Sequence, residues 1–154
     1  MCEGYFRYHS PVIEAFLTSP FIKKPARVYF LIDTGSDKVA LSEEDAQRMR
    51  INLQDLAKTQ SVGISGKPTN TYILPGVDLT FTDFSNTHNS IHIHTESLEN
   101  IAIIEGLKIN LLGMELLRRF NIIIDFTEQK VELLRSEFGE GAHTGQTIML
   151  PSPS

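Results

Sequence analysis

The sequence predicts a mainly β domain, closed into a compact barrel or sandwich, and three observations predict it. Its apolar runs are strand-sized, as at residues 28–32 and 122–124. They recur along the chain with Gly, Pro, Asn and Ser turns between them. Helix signals follow only Ser42 and Gly113. The 154 residues make one domain, and a chain this long buries roughly 68–70% of its unfolded surface on folding. A 41% hydrophobic content supplies an ordinary core.

Taken in order, residues 5–8 and 12–17 are short strands split by His9-Ser10-Pro11, where a proline suits a turn or a strand edge. Residues 18–26, with two prolines and two lysines, make an exposed loop. Residues 27–32 are apolar on both faces, as in a central strand, and they end at Asp33-Thr34-Gly35-Ser36. After a short strand at 39–41, Ser42-Glu43-Glu44-Asp45 has the pattern of a helix N-cap with acids complementing the dipole. Residues 61–74 form a hairpin tipped by Ile64-Ser65-Gly66-Lys67, and residues 77–95 a second one. Short strands at 101–104 and 109–112, a helix at 114–120 and a hairpin of 121–126 with 130–134 complete a domain spanning residues 1–135. Beyond it the composition turns to Gly, Ser, Thr and Pro, so residues 136–154 are expected to be a flexible tail.

Charge and composition exclude several classes. Fourteen Lys+Arg against nineteen Asp+Glu leave a net charge of −5, with dense basic spots only at Lys23-Lys24 and Arg118-Arg119. A nucleic-acid partner is therefore not expected. No apolar run reaches the ~20 residues of a membrane helix, so no membrane partner is expected. The first residues lack the pattern of a secretory signal, and one cysteine cannot make an internal disulfide. Together these point to a reducing, cytoplasmic setting, with Cys2 an exposed, idle thiol.

The chemistry-bearing candidate is Asp33-Thr34-Gly35-Ser36, because a carboxylate at the end of a buried strand is unfavourable unless a site uses it. In composition the tetrapeptide is also an ordinary turn, so its context decides. Leu31-Ile32-Asp33-Thr34-Gly35-Ser36 and, later, Asn110-Leu111-Leu112-Gly113 followed by Met114-Glu115-Leu116-Leu117-Arg118-Arg119-Phe120 occur in order around the glycine-tipped hairpin. In these motifs the chain resembles the retropepsin-like aspartic proteases, over roughly residues 12–134.

The resemblance implies a small closed β-barrel and an aspartic endopeptidase without cofactor or metal. Two carboxylates about 3 Å apart share one proton and act as base toward water and acid toward the scissile carbonyl. Only one Asp-Thr-Gly is present, so the second carboxylate would come from a homodimer, Asp33 meeting its own copy on the two-fold axis. Thr34 would hold its counterpart across that axis, Gly35 would let backbone approach, and Ser36 would donate to the Asp33 carboxylate or be a plain turn residue. Ile64, Ser65 and Gly66 would form the flap tip over an extended peptide or protein substrate. Asp37, just past the triplet, stands where many members pair an acid with an arginine. Here Met114 occupies the arginine's place, which leaves Asp37 to Arg118 or Arg119, to solvent or to the substrate backbone. The alternative is a non-catalytic dimerisation or peptide-binding module that keeps the shape alone. His88, His92 and His94 offer a weaker zinc pattern, read as the polar face of an edge strand, and no phosphate loop or serine elbow is present.

Overall fold

The computed structural model describes residues 2–62, 66–83, 90–136 and 143–149. Within them the elements run β1 (Cys2–Arg7), β2 (Ser10–Thr18), β3 (Ala26–Ile32), β4 (Ala40–Ser42), α1 (Glu43–Arg48), β5 (Ala57–Val62), β6 (Pro68–Asp83), β7 (Ser90–Ile104), β8 (Asn110–Leu112), α2 (Met114–Leu117), β9 (Phe120–Asp125), β10 (Lys130–Arg135) and β11 (His143–Met149), with a 3₁₀ turn at Leu53–Asp55. The fold is mainly β, as the sequence predicts. Strands β6, β7, β4, β8, β3 and β2 are neighbours in that order, and β2 pairs back to β6 through Phe16↔Thr80 and Leu17↔Leu79, closing a six-stranded barrel. Most pairings are antiparallel, but β3 with β8 and β4 with β7 are parallel. Phe30, Phe81, Ile13, Leu17, Leu79 and Ile103 fill the core, and Leu116 and Leu117 of α2 are buried in the same cluster.

Local chemistry explains the short elements. Ser42 caps α1 by accepting the Asp45 N–H at 3.2 Å, and Glu43, Glu44 and Asp45 occupy the first turn. The β1–β2 turn sits one position earlier than the proline suggested. Tyr8 and His9 form it with φ of 49° and 66°, while Ser10 and Pro11 lie inside β2. Two positive φ values match the right-handed strand twist that a tight hairpin needs.

Three expectations are corrected. Cys2 is buried in the core, 4% exposed, because it faces inward from β1 beside β10. The polar stretch 96–100 does not end a strand: β7 runs unbroken and changes partner, pairing with β11 over Ser90–Glu96 and with β4 over Ala102–Ile104. It is therefore no edge strand there. Residues 143–149 of the expected flexible tail are β11, hydrogen-bonded along β7 from His143↔Glu96 to Met149↔Ser90. Backbone pairing, which composition does not encode, orders that segment.

Candidate active site

The site begins where β3 ends. Leu31 and Ile32 lie beside Leu111 and Leu112 of β8 in parallel register, and the Asp33 N–H continues that ladder to the Leu112 carbonyl at 3.1 Å. Asp33 is thus fixed at its backbone, and the residue is half-buried. The Gly35 N–H donates to Asp33 Oδ1 at 3.0 Å, and the Ser36 N–H donates to the Asp33 carbonyl at 3.2 Å. The carboxylate is therefore aimed by the backbone of its own turn. Ser36 takes another part: its Oγ donates to the Lys38 carbonyl at 3.0 Å. Thr34 is exposed at the surface of the loop.

The second motif grips this turn from behind. Met114 N–H donates to the Ser36 carbonyl at 2.7 Å and Glu115 N–H to the Asp37 carbonyl at 2.9 Å, so the first turn of α2 is tied to the loop. A Cβ added to Gly113 would lie 2.7 Å from the Ser36 carbonyl oxygen and closer still to that of Lys38. Only glycine permits this approach.

Bracing falls to a residue that sequence reasoning passed over. Glu115 Oε1 accepts the Val39 N–H at 2.6 Å, and its Oε2 faces Lys38 Nζ at 3.4 Å. The carboxylate spans the loop that the missing arginine would have held. Asp37 is exposed and tied by its backbone carbonyl, and Arg119 is committed elsewhere, so the suggested Arg119–Asp37 pair does not form. A Glu two residues past the Gly113 brace was the available signal; its polar, half-buried position at the start of α2 concealed it.

Asn110 ties the brace to the barrel. Its Oδ1 accepts the Ser42 N–H at 2.8 Å, and its Nδ2 donates to the Tyr29 carbonyl at 3.0 Å and to the Asp45 carboxylate. One buried amide thereby couples β8, β4, β3 and the start of α1.

Beyond α2 lies a buried ion cluster. Glu96, fully buried, accepts from Arg119 Nη1 at 2.9 Å, is hydrogen-bonded to His94 Nε2 at 2.8 Å and is ion-paired with Arg135, whose Nε lies at 2.8 Å. Burial pushes the Glu96 carboxyl up, but the hydrogen bonds from His94 and Arg119 and the charge of Arg135 outweigh it and hold the group below the ordinary carboxylate range. His94 is thus engaged with Glu96 inside the fold, against the solvated face expected for it. Among the described residues no three His, Cys, Asp or Glu side chains gather to hold a metal; the side chains of His88 and His92 lie outside them.

The segment expected to carry the flap lies in the β5–β6 hairpin. Its strands pair from Ala57↔Ile73 to Val62↔Pro68, and every residue of β5 is exposed. Gly66 at the turn has φ of 72°, whereas Ile64 and Ser65 lie outside the described residues. Among the described residues, no helix is long and apolar enough to cross a membrane.

Comparison with known proteins places these features in one span. A family model described as "gag-polyprotein putative aspartyl protease" matches residues 22–119, which include the Asp33 turn, the β5–β6 hairpin and the Gly113 brace. Among solved structures, a retropepsin-like aspartic protease from Rickettsia conorii is similar at 25% identity and a TM-score of 0.50, covering 86% of this chain and 88% of that one. The retroviral protease-like domain of Ddi1 from Leishmania major has 12% identity and a TM-score of 0.48, over 82% of this chain and 97% of that one. No curated protein matches the chain. A turn carrying Asp33, gripped through Gly113 on a six-stranded barrel, and a family match over most of the chain lead to one assignment: the chain belongs to the retropepsin-like aspartyl protease family.

Proposed function

We propose that the protein is an aspartic endopeptidase, active as a homodimer in which the two Asp33 carboxylates meet on the two-fold axis. The observation that carries this reading is the Asp33 turn itself, its carboxylate oriented by the Gly35 N–H and its backbone held by Leu112. A turn kept for shape alone needs no carboxylate at that point. One Asp33, ionised, would take a proton from water as it attacks the peptide carbonyl; the other, protonated, would donate to the carbonyl oxygen. Collapse of the tetrahedral species breaks the C–N bond as a proton passes to the leaving nitrogen, with no covalent enzyme intermediate. Thr34 would contact its counterpart across the axis, and the hairpin tip at 64–66 would close over a substrate bound as an added strand. A cytoplasmic setting and a protein substrate accord with this reading.

Met114 at the arginine's place and the exposed Asp37 favour, as a second reading, a binding module without catalysis. Incubation of the purified chain with an unstructured protein, followed by mass spectrometry of the products, separates the two. Cleavage lost in Asp33→Ala supports the protease; no cleavage by the wild type, or cleavage indifferent to Asp33→Ala, removes it.

A further inference from the structure

A concavity lies at the other end of β3 from Asp33, about 20 Å away along a strand rising ~3.3 Å per residue. It is a groove of about 440 Å³ between the 22–27 segment and the end of α1. Its cations are Lys23, Lys24, Arg27, Arg48 and Arg50. These are five of the chain's fourteen, and no acid lines the groove although acids outnumber bases overall. Two of the five are neutralised locally: Arg27 pairs with Glu14 at 2.9 Å and Arg48 with Asp45 at 2.8 Å. Among the described residues, no carboxylate pairs with Lys23, Lys24 or Arg50. Three exposed like charges gathered at one concavity make a local positive potential that attracts an anionic partner.

We propose that this groove docks an acidic, extended segment of a partner protein. Ile22, half-buried, and Met49, buried, give it an apolar floor beside the charged groups, which fits side chains and carboxylates alternating along a peptide. A compact phosphate fits less well, because the nearest helix ends here, at Arg48 and Met49, and so supplies none of the N–H groups that a preformed phosphate site uses. The cations also surround a pocket rather than forming the stripe that tracks a nucleic-acid backbone. The groove is remote from Asp33, so the proposal stands apart from the protease reading.

Fluorescence anisotropy with a short labelled peptide of Glu, Asp, Leu and Gly tests it, using the full chain carrying Asp33→Ala so that the probe survives. Saturable binding is expected, weakened by salt and weakened about tenfold in the combined Lys23→Gln, Lys24→Gln, Arg50→Asn variant. Asn at position 50 suits the positive φ of 58° there. Should that variant fold poorly by its urea midpoint, Lys23→Gln and Lys24→Gln are read singly. Equal binding of the Gln/Asn version of the peptide, undiminished binding by the charge variants, or stronger binding of phosphatidylserine vesicles or duplex DNA would overturn the proposal.

Discussion

Around the Asp33 turn, single atoms decide what a substitution does. At Gly113 an added methyl meets the backbone carbonyls of Ser36 and Lys38, which cannot swing aside as a flexible side chain can. Gly113→Ala is therefore expected to cost about 1–3 kcal/mol or more, read as a lower urea midpoint. Glu115 has a different liability. Val39 is fully buried, so Glu115→Ala leaves its N–H without an acceptor, at about 1–3 kcal/mol, while Glu115→Gln keeps an oxygen in place and restores most of that stability. Equal loss in both variants would assign the effect to the Lys38 ion pair instead. Ser36 is the mild member. Because its hydroxyl closes on the Lys38 carbonyl and not on Asp33, Ser36→Ala should leave kcat/KM within about twofold and lower stability by no more than about 1 kcal/mol. A large fall in kcat/KM with unchanged stability would place the hydroxyl back at the carboxylate.

Elements are joined here by one buried acid, and the fold is expected to be acid-sensitive through it. Glu96 on β7 binds Arg119 after α2, Arg135 at the end of β10 and His94 two residues earlier on its own strand. Because the folded Glu96 carboxyl titrates below its unfolded value, its contribution is complete above the unfolded value. That contribution is lost as pH falls through the folded one. Glu96→Gln should lower stability by roughly 3–5 kcal/mol near neutrality, since two arginines lose their counter-charge in the interior. Its urea midpoint should also decline less between neutrality and pH 3 than the wild type's; parallel declines would locate the acid sensitivity elsewhere. His143 of β11 is Glu96's register partner, so the same cluster lies where the last strand joins. None of this was legible in the sequence. Glu96-Ser97-Leu98-Glu99-Asn100 reads as a polar break, and only long-range partners, two of them over twenty residues away, turn it into the middle of a strand. By contrast, the Ser42 cap, the central strand ending at Asp33 and the motif ending at Gly113 were legible, because each is set by local propensity or by a close approach that admits one residue type. Asp33's turn was readable down to its residues, but the atom that aims the carboxylate was not: backbone N–H groups carry no sequence signature.

At the scale of the whole molecule, the barrel presents one Asp33 and the proposed chemistry uses two, so stoichiometry becomes measurable. If activity belongs to a homodimer, it should fall per chain on dilution, because mass action separates the carboxylates. A sharper test needs no knowledge of the dissociation constant. The Asp33→Asn chain keeps the Gly35 N–H, the Leu112 hydrogen bond and the Gly113 grip, and it should exchange freely with wild type. When equal amounts are mixed and allowed to re-equilibrate, random pairing leaves about one quarter of the dimers with both Asp33 residues. Activity per wild-type chain should then drop to about one half, and excess variant should drive it toward zero, because each mixed dimer holds a lone carboxylate. A self-sufficient monomer would be indifferent to the added chain. Activity that stays constant through the titration, with mixed dimers demonstrated by native mass spectrometry, would show that one Asp33 is enough and would end the two-carboxylate account.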